Sequence, residues 1–427
     1  MMLTTELKSL LAGNACDASL ATLYSPSAVE DQKARYLRVA ETFERLYGAG
    51  RAVGVFSAPG RTEVCGNHTD HNHGKVLAAG VNLDAIAVAG RNDENIVRIK
   101  SEGYRMDVTE LSDLRVHDNE TGHSASLVRG VCAAFRARGY NVGGFDAATA
   151  SNVLSGSGLS SSAAFEVLIG TMLNHLYNDG KVDPVEIAQI AQYAENVYFG
   201  KPCGLMDQMA CSVGGFVEID FRDPAAPVIE KVPFDFAACG HALCIVDTGG
   251  THADLTDDYA AVRREMEAAA QVFGKSVLRE VAPADFKAQI PAVRKAAGDR
   301  AVLRGLHFFR ENERVERQAA ALKAGDFDAF KQLVIESGYS SYMYNQNVFT
   351  PKAPTSQPVS VALALCAELL AGKGAWRVHG GGFAGTIQAF VPLELLDAFK
   401  AEMTAVFGEK ACYVLQIRPV GGTAVLI

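Results

Sequence analysis

Apolar residues recur every three or four positions after Ser160: Phe165, Leu168, Ile169, Met172, Leu173 and Leu176. That period predicts an amphipathic helix behind a serine-rich loop. Residues 31–48 show the same spacing. A further helix is predicted from Pro184, a favoured first-turn residue, through Ile187, Ile190, Ala194 and Tyr198. Frequent Val and Ile predict strands at 52–57, leading into Pro59-Gly60, and between Lys75 and Lys100, where Gly90-Arg-Asn-Asp reads as the turn between paired strands. Residues 214–247 read as strand-rich, with Gly214-Gly215 as punctuation. From Leu255 to Glu336 the pattern is helical, broken near Pro283, Pro291 and Gly298. A loop at 350–358, a helix at 359–371, a glycine cluster at 380–385, a strand, a helix at 393–407 and a closing strand pair complete the chain. Strands and helices mix in both halves and no tandem repeat is present. The expected fold class is therefore α+β, with two domains at 1–215 and 216–427.

Composition narrows the function. A chain of 427 residues buries sizeable cores and leaves room for a cleft between them. With 48% hydrophobic and 21% charged residues, disordered and fibrous classes are excluded. Forty basic against 49 acidic residues give a net charge of −9. Without a Lys/Arg run, neither nucleic acid nor an anionic membrane surface is the expected partner. The nine cysteines contain no CxxC pair, which fits free thiols in a reducing compartment. The first residues show no signal-peptide pattern, and no apolar run approaches the roughly 18 residues of a membrane span. The expectation is a cytoplasmic protein with small-molecule partners.

Three clusters could carry chemistry. Ser155-Gly-Ser-Gly-Leu-Ser-Ser-Ser-Ala-Ala164 stands directly before the helix after Ser160. Glycines allow close backbone approach, and a helix start offers unpaired N–H groups and partial positive charge, so the segment can cradle phosphate. A Gly/Ser loop ending in an ordinary serine cap is the plainer alternative. Gly60-Arg-Thr-Glu-Val-Cys-Gly-Asn-His-Thr-Asp-His-Asn-His-Gly74 gathers side chains suited to sugar hydroxyls. Its histidines and Asp70 also raise a metal site, although their spacing fits no closed zinc site, and a solvated polar loop stays open as well. Gly200-Lys-Pro-Cys-Gly-Leu-Met-Asp-Gln208 places Asp207 in a tight loop as a candidate base, or as a turn former, behind the helix carrying Glu195. Gly380-x-Gly382-x-x-Gly385 matches a dinucleotide fingerprint, but the strand predicted after it, where a helix is required, rules that site out.

These segments together resemble the galactokinase family of GHMP small-molecule kinases. Ala58-Pro-Gly-Arg61 with Gly66-Asn-His-Thr-Asp70 resembles the family's sugar motif. Gly158-Leu-Ser-Ser-Ser-Ala163 is similar to its ATP phosphate loop, and Cys203-Gly-Leu-Met-Asp-Gln208 to its catalytic segment. Asp258-Tyr-Ala-Ala-Val-Arg-Arg-Glu265, Glu311-Asn-Glu-Arg-Val315 and Gly380–Gly385 are similar to later motifs.

The resemblance implies two domains with the active site in the cleft between them, and transfer of the ATP γ-phosphoryl group to the anomeric hydroxyl of galactose. Asp207 would be the base and Arg61 its cationic neighbour. Asn67, His68, Asp70, Gly204 and Tyr259 would line the sugar. Gly156, Ser157, Gly158, Leu159, Ser160, Ser161 and Ser162 would cradle the phosphates, and Ser162 and Glu195 would hold Mg²⁺. The sequence departs from the family where Asn67 and His71 replace a glutamate and a tyrosine, and where Glu63 replaces an asparagine. Ala384 and Thr386 stand where glycine and cysteine are common. A kinase for another sugar and a non-catalytic sugar sensor on the same fold are the alternatives.

Overall fold

The computed structural model describes residues 1–153, 158–250 and 255–427. The first strands are β1 (Met2–Leu3), β2 (Ala52–Cys65), β3 (Lys75–Arg91), β4 (Ile96–Ser101), β5 (Met106–Glu110), β6 (Phe145–Ser151), β7 (Phe216–Asp220) and β8 (Val228–Val232). They are followed by β9 (His241–Asp247), β10 (Ala375–Val378), β11 (Thr386–Pro392), β12 (Cys412–Leu415) and β13 (Thr423–Leu426). Among the described residues these make two sheets. One has nine strands and runs β1-β2-β3-β6-β4-β5, with β13 on β2 and β7-β8 branching from β3. The other runs β10-β11-β9-β12.

The long strands β2 and β3 organise the first sheet. Residues 85–91 of β3 pair with β6, whereas residues 75–79 pair with β7, so the sheet forks along one strand. Both faces of β3 are covered, which is why its sequence is a near-continuous apolar run. Ala85, Ala87 and Ala89 face a core built with the helices Ser124–Ala137 and Ser161–Tyr177. Ile86 and Val88 alternate to the other side, against Leu20, Tyr36 and Phe43 of the N-terminal helices. The pairing of β2 with β3 shifts register between Pro59 and Arg61. This bulge frees the Arg61 N–H, which donates instead to the Leu159 carbonyl at 3.1 Å.

The second sheet is wholly antiparallel. Helices Asp299–Lys323 and Phe327–Ser340 tie it to the first: Val315, Phe330 and Val334 share one core with Leu77 and Phe216 on one side and Leu243, Ile245 and Phe390 on the other. Among the described residues, no helix is long and apolar enough to cross a membrane.

Several expectations change in three dimensions. The domain boundary expected at 215 does not divide the sheets, because β7 and β8 lie beyond it and extend the first sheet, while β13 returns from the far end to pair with β2. The strands within 75–100 are not partners; β6 sits between β3 and β4. The two closing strands likewise belong to different sheets, β12 on β9 and β13 on β2. The helical breaks expected near Pro283, Pro291 and Gly298 are present, and both prolines lie in the first turn of a new helix, where a proline has no N–H bond to lose. After Gly385 the chain is a strand, as the sequence predicts.

Candidate active site

Arg61 leaves the bulge of β2 pointing at the start of the helix Ser161–Tyr177. Its Nε donates to Asp207 Oδ1 at 2.7 Å, and its Nη1 donates to the Gly158 carbonyl. The Ser160 hydroxyl donates to Asp207 Oδ2. Gly158 and Ser160 both take positive φ, +73° and +57°, which turns the loop sharply into the helix. Asp207 sits in the first turn of the helix Met206–Val213. Burial by itself raises its carboxyl pKa, but Arg61, through charge and hydrogen bond, and the Ser160 bond hold it below the ordinary carboxylate value. Asp207 is thus an ionised acceptor beside a helix N-terminus. Leu159 is fully buried and contributes only backbone. Gly156 and Ser157 lie outside the described residues.

Two residues beyond Ser160, Ser162 Oγ donates to Glu195 Oε1 at 3.2 Å. Glu195 belongs to the π-helical turn Ala194–Phe199, an extra-wide turn of the kind found at functional sites. Gln208 Nε2 donates to Glu195 Oε2 at 2.7 Å and to Glu166 Oε2 at 3.1 Å, bridging two buried carboxyl groups. Burial and the nearby Glu195 charge push the Glu166 carboxyl well up, and its Oε1 has no hydrogen-bond partner. Lys201 Nζ reaches Glu195 Oε1 at 3.0 Å. Hydroxyl and carboxylate oxygens converging where an ammonium already sits fit a hard divalent ion, which takes oxygen ligands and keeps phosphate and water as others. Among the described residues no group of three or more His, Cys, Asp or Glu side chains could hold a metal ion, so the alternative of a histidine metal site at 68–73 has no support.

The loop 66–74 is clamped at both ends by one helix. Glu311 Oε1 accepts from the Gly66 N–H at 3.2 Å, and Asn312 Oδ1 accepts from the Lys75 N–H at 2.6 Å. A Cβ on Gly204 would stand 2.6 Å from Asp70 Oδ2 of this loop, so glycine lets the segment 204–207 approach that carboxylate without the Asp70 side chain having to shift. Asp70 and Asp207 therefore flank one short stretch of chain. His68 Nε2 bonds the Gly381 carbonyl at 2.8 Å; burial lowers its pKa to about 4, so the ring is neutral. The Tyr259 hydroxyl donates to the Gly382 carbonyl at 2.9 Å. Both side chains hold the 380–382 loop.

Asn67 lies inside a polar network. It is 1% exposed. Its Nδ2 donates to Glu63 Oε1 at 2.9 Å and to the Gly380 carbonyl at 2.7 Å, while Oδ1 accepts from Asn347 Nδ2 at 2.7 Å. Both amide hydrogens are thus engaged within the protein, and Asn67 joins the 63–67 segment to two other loops.

A family model described as the galactokinase galactose-binding signature matches residues 41–91, and one for the GHMP kinases N terminal domain matches residues 126–215. A galactokinase of Streptomyces coelicolor is 35% identical over 91% of this chain and 98% of its own length. The chain belongs to the galactokinase family. Among solved structures, Lactococcus lactis galactokinase complexed with galactose aligns with a TM-score of 0.75 at 26% identity, covering 90% of this chain and 98% of that one. A mevalonate kinase of Methanococcus jannaschii, at 14% identity and TM-score 0.60 over 86% of this chain and 98% of that one, shares the fold.

The galactokinase motifs account for Arg61, Asp207, Ser160, Ser162 and Glu195 meeting at one helix start. They do not account for the buried Glu63–Arg377 pair at 2.8 Å, for Gln208 between two carboxyls, or for Lys201 on Glu195. Gln208 and Lys201 stand inside a segment the sequence singles out. The Gln208 partners come from other helices and Lys201 folds back on the turn just before it, so the residue types alone show no sign of the contacts.

Proposed function

We propose that this sugar kinase uses ATP to phosphorylate galactose at its anomeric hydroxyl, with Asp207 as the base. The observation that carries the reading is the Arg61–Asp207–Ser160 constellation at a helix N-terminus, with Asp70 drawn close by Gly204. A helix start and its glycine turn favour phosphate oxygens, and Arg61 already bonds the Gly158 carbonyl within that turn. Asp207 accepts the sugar hydroxyl proton as the oxygen attacks the γ-phosphorus, the bond from that phosphorus to the β–γ bridging oxygen breaks, and ADP leaves with the bridging oxygen. Arg61 keeps Asp207 ionised and offers its charge to the oxygens of the moving phosphoryl group. Asp70 holds and orients a sugar hydroxyl.

Ser162 and Glu195 are the residues that would hold Mg²⁺. The ion would neutralise phosphate charge when bound. Incubation with ATP, Mg²⁺ and a panel of sugars, scored for ADP release and product identity, tests the reading. Clear preference for galactose with product phosphorylated at the anomeric carbon is the expected result. Preference for a different sugar replaces the substrate, and absence of turnover with every sugar replaces the activity.

A further inference from the structure

The site contains a cation that the reaction described above does not use. Lys201 follows Gly200, which takes φ +81° to end the π-helical turn, and its backbone N–H donates to the Glu195 carbonyl at 3.1 Å. The residue is therefore anchored at its backbone while its side chain is 61% exposed and free to swing. Its ammonium sits 3.0 Å from Glu195 Oε1, the same oxygen that accepts from Ser162. It also lies near enough to Asp207 to help lower that carboxyl's pKa. Glu195 itself is buried, and its other oxygen is taken by Gln208. A divalent ion bound to Ser162 and Glu195 would face this ammonium at contact range, and like charges that close repel strongly. One of the two has to leave.

We propose that Lys201 is a resident counter-ion of the metal position: it neutralises Glu195 in the nucleotide-free protein, and on arrival of the metal–nucleotide complex it releases Glu195 and binds the nucleotide's phosphate oxygens. This rests on the assignment of Ser162 and Glu195 as metal ligands. The charge balance favours the exchange. A cation beside the buried Glu195 carboxylate offsets the cost of its burial, whether lysine or metal, and the net negative charge of a metal–triphosphate complex draws the displaced ammonium towards it. The lysine stem is long enough to move between partners without the backbone anchor shifting, and its rotatable ammonium donates in any direction.

The test uses the full-length protein with Lys201→Met, Lys201→Arg and Glu195→Gln variants. Mn²⁺ alone is titrated against nucleotide-free protein, with free Mn²⁺ read by electron paramagnetic resonance. Binding of ATP and ADP is then measured calorimetrically with Mg²⁺ present. Lys201→Met is expected to bind Mn²⁺ roughly two- to fivefold more tightly than wild type, the scale of one half-exposed ion pair removed. Lys201→Arg should stay near wild type. Lys201→Met should also bind ATP about tenfold more weakly, as for the loss of one charge-assisted hydrogen bond. Unchanged Mn²⁺ affinity in Lys201→Met, with affinity lost in Glu195→Gln, overturns the counter-ion role and leaves the metal ligands standing. Unchanged Mn²⁺ affinity in both variants removes the metal assignment and this inference with it. Tighter Mn²⁺ binding with unaltered ATP binding overturns the transfer to phosphate.

Discussion

Glu63 and Asn67 are hydrogen-bonded at 2.9 Å, and each occupies the place where the galactokinase motif has the other's residue type. The acid and the amide have exchanged positions within one loop. The carboxylate at 63 pairs with the fully buried Arg377, which also donates to the Val64 carbonyl at 2.5 Å. The amide at 67 then serves as the hub for the loops at 345–347 and 380–382.

The exchange predicts that Asn67 acts on stability more than on sugar affinity. Asn67→Ala should lower unfolding free energy by about 1–3 kcal/mol, because it leaves buried partners unsatisfied. Deoxy-galactose analogues should lose the same factor in wild type and variant. A double-mutant cycle of Glu63→Asn and Asn67→Glu, read by denaturant unfolding, should show favourable coupling of about 0.5–3 kcal/mol. Additive losses would mean that the two positions act independently.

Asp207→Asn should reduce kcat by roughly 10²–10⁴-fold with sugar and ATP binding kept within a few-fold, as for a lost general base. Arg61→Met should move the acid limb of the pH–rate profile upward. The sign follows from the opposing influences on Asp207: burial raises its pKa and Arg61 lowers it, so removing Arg61 leaves burial unopposed. An acid limb that stays in place in Arg61→Met would show that the limb belongs to another group.

Gly204→Ala is expected to raise the KM for sugar by about tenfold, the cost of one displaced hydrogen bond, with little change in kcat. The new methyl group meets Asp70 Oδ2 at 2.6 Å and pushes that carboxylate away. Steady-state kinetics at saturating ATP checks this. A pure kcat effect would instead implicate the neighbouring Asp207.

Glu311→Gln tests the clamp beneath the sugar loop. Burial works to raise the Glu311 carboxyl, but Arg314 and further cationic and hydroxyl neighbours bring it to about 2, against 4.5 ordinarily. A depressed native pKa stabilises the fold above the ordinary value and loses that contribution as pH falls through the native one. At pH 7 the variant should be less stable than wild type by about 3 kcal/mol, the lower end for breaking a buried pair. The gap should close as pH falls from about 4.5 towards about 2. Chemical denaturation across that range measures it.

The sequence by itself determined the local elements and the local chemistry. The three- and four-residue apolar period set the helices Val29–Tyr47 and Ser161–Tyr177, and the Gly/Ser run marked the turn that ends at a helix start. Arg61, Asp207 and Ser162 stand out in the sequence because each sits in a short motif whose residue types are tied to its own loop, whereas Glu195 enters only through the family resemblance. What only tertiary structure decided were contacts between distant stretches. Strand periodicity says which face is buried but not which strand lies alongside. Hence β6 came between β3 and β4, and β12 and β13 parted to different sheets. The same holds for polar side chains: Asn67 and a sugar-facing asparagine look alike in a motif. Its contacts are set by Gly380 and Asn347, about 300 positions away in sequence and within hydrogen-bond range only because the fold brings those loops together.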